Sequence, residues 1–239
     1  MSINPIKATD AIEKNYRNYL STTFHFQNQQ LQQQLQEILR VKGRFVKGPI
    51  LEATPSFQTG SSLADLIKDG VLSREFYRLS TNTLPADRQL YLHQEKAVRK
   101  LVVDKRNIVV STGTGSGKTE TFLIPILDSL FKEVEKGKLG PGVRAVLLYP
   151  MNALANDQLK RLRLLLADYS QITFGRYTGE TERWYQKALD KHRKMFGRDP
   201  LENELISREQ MWQKPPHILL TNYAMLEYLL LRPVDNVFF

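Results

Sequence analysis

The 239-residue chain is predicted to adopt an α/β fold, a parallel sheet flanked by helices and preceded by a mainly helical N-terminal accessory region. Three observations carry this prediction. Short apolar runs at residues 107–111, 144–149, 172–177 and 217–221 are each followed by a helix-compatible segment, the alternation that builds a parallel sheet with crossover helices. A glycine-rich turn joins the first run to its helix. Residues 1–85 instead show helical spacing interrupted by Gly and Pro, so the expected division is an accessory region over 1–85 and a sheet-bearing domain over 86–239.

Bulk composition narrows the class further. With 41% hydrophobic residues the chain has the makings of a packed core, and it is neither disordered nor collagenous. The apolar stretch at 224–231 contains Glu227 and stops well short of the roughly 18–20 residues of a membrane span. Residues 1–10 lack the apolar centre of a signal peptide. The absence of cysteine excludes disulfides and thiolate metal sites and suits a reducing interior, so a cytoplasmic protein without membrane contact is expected. Lys and Arg outnumber Asp and Glu by 34 to 25, and the resulting charge of +9 is compatible with a polyanionic partner.

Along the accessory region, Ile12, Tyr16, Tyr19 and Leu20 mark one face of a first helix over 8–20. Residues 27–36 hold seven glutamines, yet Leu31, Leu35, Ile38 and Leu39 keep a helical stripe through them. An amphipathic helix with a glutamine-coated outer face is expected, with a disordered tract as the alternative. Gly43, Gly48-Pro49 and Thr54-Pro55 break the pattern, and 61–70 reads as a short helix opened by a serine cap and closed by Gly70.

The run Thr112-Gly113-Thr114-Gly115-Ser116-Gly117-Lys118-Thr119 carries the most chemistry. Glycines let the backbone approach an anion closely, and successive N–H groups at a helix start form a concave phosphate cage. Lys118 is placed to reach the β- and γ-phosphates of ATP, and the Thr119 hydroxyl to hold Mg²⁺. A glycine-rich hairpin turn is the plainer alternative. In the helix that follows, Phe122/Leu123, Ile126/Leu127 and Leu130/Phe131 recur every four residues. Burying each is worth about 1.5–3 kcal/mol, against about 3 kcal/mol for the interior Pro125, where a kink is expected.

Thr112 stands where the generic phosphate-loop pattern has its first glycine, and in this form Thr112 to Thr119 resembles motif I of superfamily 2 helicases. Gln94, upstream of the loop, offers the donor and acceptor that match an adenine edge, and a glutamine in this position has that role in the family. The plainer reading is an amphipathic helix with Leu92, Ala97, Val98 and Leu101 inward. Residues 147–158 resemble motif Ia and make Asn152 a phosphate-contact candidate. Thr178-Gly179 and Thr221-Asn222 resemble the later motifs that touch the same nucleic-acid strand. As an ordered set over roughly 85–239, these residues resemble the DEAD/DEAH-box-like helicases, in the group of the YprA/MrfA repair helicases and the DrmA-type defence helicase. Between the motifs, a basic stretch at 183–198 with Trp184, Tyr185 and Phe196 is either an arm along a nucleic-acid backbone or a solvated face over an aromatic stripe.

The resemblance implies the first RecA-like lobe of an ATP-dependent helicase or translocase that uses ATP and Mg²⁺ on nucleic acid, DNA rather than RNA. It also implies a second lobe of the same polypeptide and a partner protein in repair or defence. The family's Asp-Glu pair, which holds Mg²⁺ and orients water, is not found in these residues. The sequence is therefore expected to be an N-terminal part, inactive alone, cut before motif II. A duplex translocase that does not separate strands and a non-catalytic nucleotide or nucleic-acid binding module are the alternatives.

Overall fold

A computed structural model describes residues 4–48, 55–79 and 83–239. Pro49 and Thr54, read above as helix breakers, lie outside them. The chain forms two compact units, one ending at Ser56 and one spanning Phe57–Phe239.

In the first unit, α1 (Pro5–Thr23) begins at Asn4, whose side chain accepts from the Ile6 and Lys7 amides at 3.1 Å, with Pro5 preset for the first turn. Asn28 caps α2 (Gln29–Arg40) in the same way. The glutamine run is therefore helical. Gln36 Nε2 donates to Ser21 Oγ at 2.6 Å, and Leu39 is buried, whereas Ile12, Tyr16 and Tyr19 remain exposed.

The second unit opens with β1 (Thr59–Ser62) and α3 (Leu63–Lys68), whose cap is Ser62 in a reciprocal box with Asp65. After a 3₁₀ turn at Arg74–Arg78, β2 (Gln89–Tyr91) pairs antiparallel with β1 and leads into α4 (Leu92–Val102). Leu63, Leu66, Phe76 and Leu84 lie in one core cluster with Leu127 and Phe131 of α5 (Lys118–Glu135). Leu63, Leu66, Phe76, Leu79 and Leu84 thus share the core of the sheet-bearing unit, although the sequence reading places them in the accessory region. Phe131 meets Phe76 and Tyr169 edge-on, with centroids 5.0 and 4.9 Å away. A single helix, α5, spans Pro125.

The remaining elements are β3 (Ala145–Tyr149), α6 (Asn152–Leu165), β4 (Phe174–Arg176), α7 (Tyr185–Phe196), β5 (Glu204–Leu205), α8 (Arg208–Gln213), β6 (Ile218–Asn222) and α9 (Tyr223–Leu231). The strands form one parallel sheet in the order β3-β6-β4-β5. Ile218, Leu219 and Leu220 of the interior strand β6 are fully buried, which explains its unbroken apolar sequence.

One expected strand does not form. Residues 107–111 pair with no strand of the described sheet, and Val109 is 97% exposed. An apolar β-prone run becomes a strand only when a neighbour supplies ladder hydrogen bonds, and among the described residues β3 pairs only with β6.

Candidate nucleotide site and strand-end surface

The glycine-rich loop turns through two left-handed residues, Gly115 (φ +74°) and Gly117 (φ +71°), and Gly117 is the N-cap of α5. Gly113 keeps negative or extended backbone and needs no such freedom. A Cβ on Gly113 or Gly115 would meet nothing within 4 Å, so their surface is open to an anion, whereas one on Gly117 would fall 2.4 Å from Gln94 Nε2. Lys118 Nζ donates to the carbonyls of Thr112 and Gly113, both at 2.7 Å, which holds the ammonium over the loop. Thr112 Oγ1 lies 2.6 Å from Ser116 Oγ, closing the turn. Thr114 is exposed at the turn, and Thr119 is half-buried in the first turn of α5.

Gln94 differs from expectation. It is fully buried, its Nε2 donates to Gly117 O at 2.8 Å, and its Oε1 accepts from Tyr91 N at 2.8 Å. The two groups expected to face an adenine edge are engaged inside the protein, because a buried amide must find partners and the left-handed Gly117 supplies a carbonyl. His93 supports the same turn, donating from Nε2 to Ser116 O at 3.0 Å.

Glu120 escaped the sequence reading. It is buried in the first turn of α5, and its Oε1 accepts from Arg161 at 2.6 Å and faces Arg88 at 3.5 Å. It ties the loop helix to α6 and to the segment before β2. The available signal was its position directly after Thr119, where an acidic residue complements a helix N-terminus. Nearby, burial pushes the Tyr149 hydroxyl up to about 12, with the Arg161 charge opposing.

Asn152, Gly179 and Asn222 come together at the C-terminal ends of β3, β4 and β6. Asn222 Nδ2 donates to Asn152 Oδ1 at 2.8 Å, and Asn152 Nδ2 donates to Glu180 Oε1 at 3.1 Å. Asn222 also caps α9 through the Met225 amide at 2.7 Å. Gly179 is exposed in the loop beside them. Ligands of open α/β sheets bind at this edge.

Thr178 and Thr221 do not reach that surface. Both are fully buried, and the Thr221 hydroxyl donates to Tyr177 O at 2.7 Å, stitching β6 to β4. Thr178 presents its carbonyl to Arg208 at 3.1 Å and its amide to Thr181 Oγ1 at 2.9 Å. The Thr221 hydroxyl is spent on backbone, and the Thr178 hydroxyl is buried without a partner, so neither faces the surface where a phosphate would lie. Tyr177, hydrogen-bonded to Asp235 at 2.6 Å, has its hydroxyl pushed up to about 12 by burial and by that carboxylate.

A parallel sheet with flanking helices and a glycine turn that opens a long helix define an α/β unit of RecA-like form. The chain belongs to the DEAD/DEAH box helicase family, whose sequence model matches residues 91–237. Among its relatives, Druantia protein DruE of Escherichia coli (strain UMEA 4076-1) is 29% identical, over 95% of this chain and 17% of that protein. The uncharacterized ATP-dependent helicase MJ1574 of Methanocaldococcus jannaschii is 30% identical over 62% of this chain and 18% of its own length. ATP-dependent helicase Lhr-Core of Methanothermobacter thermautotrophicus is 32% identical over 54% and 14%. The chain thus spans less than a fifth of the length of these relatives. The DEAD-box helicase Mss116 bound to ssRNA and UDP-BeF superposes with a TM-score of 0.52, at 21% identity, over 77% of this chain and 32% of that one. This likeness shows the fold. Among the described residues no helix is long and apolar enough to cross a membrane.

Proposed function

We propose that these residues form the ATP-binding first motor lobe of a longer ATP-dependent helicase or translocase acting on DNA. The observation that carries the reading is the Gly115–Gly117 turn opening α5 with the Lys118 ammonium held over it. The residues fit a triphosphate: the glycines leave open backbone, the helix start supplies N–H groups, and Lys118 brings the counter-charge. When bound, Mg²⁺-ATP supplies the phosphoanhydride whose cleavage powers movement. Lys118, which now donates to the Thr112 and Gly113 carbonyls, would hold the phosphate oxygens, and the Thr119 hydroxyl would hold Mg²⁺. Gln94 acts through Gly117, fixing the turn that aims the loop amides.

Asn152, Gly179 and Asn222 hold one strand of nucleic acid by its backbone, so sequence preference is low. The relatives named ATP-dependent helicases support the motor reading, and the basic balance of the chain supports a polyanionic track. The implied second lobe, with a partner in repair or defence, belongs to the longer polypeptide. The direct test is ATP turnover by the longer protein with and without single-stranded DNA, duplex DNA and RNA. Stimulation by single-stranded DNA is expected; stimulation by duplex alone would make it a translocase that leaves strands paired, and stimulation by RNA alone would overturn the DNA assignment.

A further inference from the structure

Glu120 stands between the phosphate loop and α6, and its pairing is only half made. Its carboxylate is buried in the first turn of α5, directly after Lys118 and Thr119. Oε2 faces the loop, 3.1 Å from where a Cβ on Gly117 would lie. Oε1 takes both neighbouring cations, Arg161 at 2.6 Å and Arg88 at 3.5 Å. Oε2 takes neither, and Arg161 Nε is likewise buried without a partner. A guanidinium and a carboxylate have the fork geometry for two parallel bonds, and here one is formed.

The opposite side of α6 shows a completed pair. Arg163, about 200° round the helix from Arg161, binds Glu204 through Nε and a terminal nitrogen at 2.8 and 2.5 Å. α6 is thus fixed at two points to β5 and at one to α5. About 14 Å along the same helix from Arg161 stands Asn152, bonded to Asn222 and Glu180 at the strand-end surface. Buried ion pairs contribute little net stability, because desolvation offsets the attraction. A half-made one contributes less, so holding the fold does not account for this pair.

We propose that Glu120 and Arg161 are positioning residues that link the phosphate loop to the strand-holding surface. When a triphosphate settles the first turn of α5, Arg161 Nε donates to Glu120 Oε2 and completes the pair. α6 is then fixed on both sides, with Asn152 in the arrangement that holds nucleic acid. Each ligand therefore favours the state the other needs. The proposal rests on the readings of the loop as a nucleotide site and of Asn152, Gly179 and Asn222 as the strand-holding surface.

The test measures, in the full-length protein, the affinity for single-stranded DNA with and without a non-hydrolysable ATP analogue and Mg²⁺, and the affinity for the analogue with and without the DNA. In the unaltered protein each ligand is expected to tighten the other by the same factor, about five- to 150-fold. Arg161→Lys keeps a single ion pair but has no second nitrogen to offer. Its unfolding midpoint and its binding of either ligand alone are expected to match the unaltered protein, while the mutual tightening disappears. A tie that only holds the fold would leave the tightening intact in Arg161→Lys, and that result overturns the proposal. So does the absence of tightening, or mutual weakening, in the unaltered protein. Glu120→Gln leaves Arg161 one acceptor oxygen and should lose the tightening too; if Arg161→Lys does not fold, this variant decides. If the analogue or the DNA does not bind on its own, the reading of that site fails first and the link falls with it.

Discussion

Gly117 concentrates the constraints on the loop. Its φ of +71° disfavours any side chain, and a Cβ there would displace the Gln94 amide. Gly117→Ala is expected to destabilise the protein by about 1–3 kcal/mol through the left-handed backbone alone. Thermal unfolding measures this, and an unchanged midpoint would contradict the turn geometry. Thr221 gives the opposite kind of test. Because its hydroxyl is buried against Tyr177 O, Thr221→Val should cost about 1 kcal/mol of stability and leave nucleic-acid affinity unchanged. A loss of affinity without a loss of stability would restore it as a phosphate contact.

At the level of elements, β6 is fastened to β4 and to the segment before β3 by His217. Its Nδ1 accepts from Thr173 N at 2.9 Å and its Nε2 lies 3.2 Å from Gly140 O. Burial pushes the His217 imidazole below its ordinary value near 6.5, opposed by the Gly140 carbonyl. The folded state therefore binds the proton less readily than the unfolded chain. The stability this contributes is complete above pH 6.5 and declines as pH falls below it. Unfolding midpoints of the unaltered protein should drop more steeply between pH 7.5 and 5 than those of His217→Gln; parallel curves would contradict this. How far the elements were legible follows from the same packing logic. β6 was readable because a strand buried on both faces is apolar nearly throughout, β3 because its run is apolar although Val146 and Leu148 are exposed at the sheet edge, and α5 because its apolar pairs outweigh Pro125. The run at 107–111 reads identically but lacks a ladder partner, which no local pattern reveals. The turn that opens α5 was legible from Gly115 to Lys118, since it depends on consecutive residues. The inward turn of Gln94, the burial of Thr178 and Thr221, and the Arg88–Glu120–Arg161 tie were not, because each depends on partners distant in sequence.

For the molecule as a whole, the proposed strand-holding surface, together with the charge of +9, predicts electrostatic, backbone-led binding. The logarithm of the affinity for single-stranded DNA should fall with the logarithm of salt concentration, with a slope near about −0.7 per phosphate neutralised. An affinity indifferent to salt would remove that surface from the account. The account depends most on the loop at the start of α5, and the most direct measurement is a titration of Mg²⁺-ATP into the full-length protein and its Lys118→Ala variant. A charge-assisted contact of about 1.5–3 kcal/mol predicts that the variant binds about ten- to a hundredfold more weakly and no longer turns ATP over. Equal binding and turnover by the two proteins would contradict it.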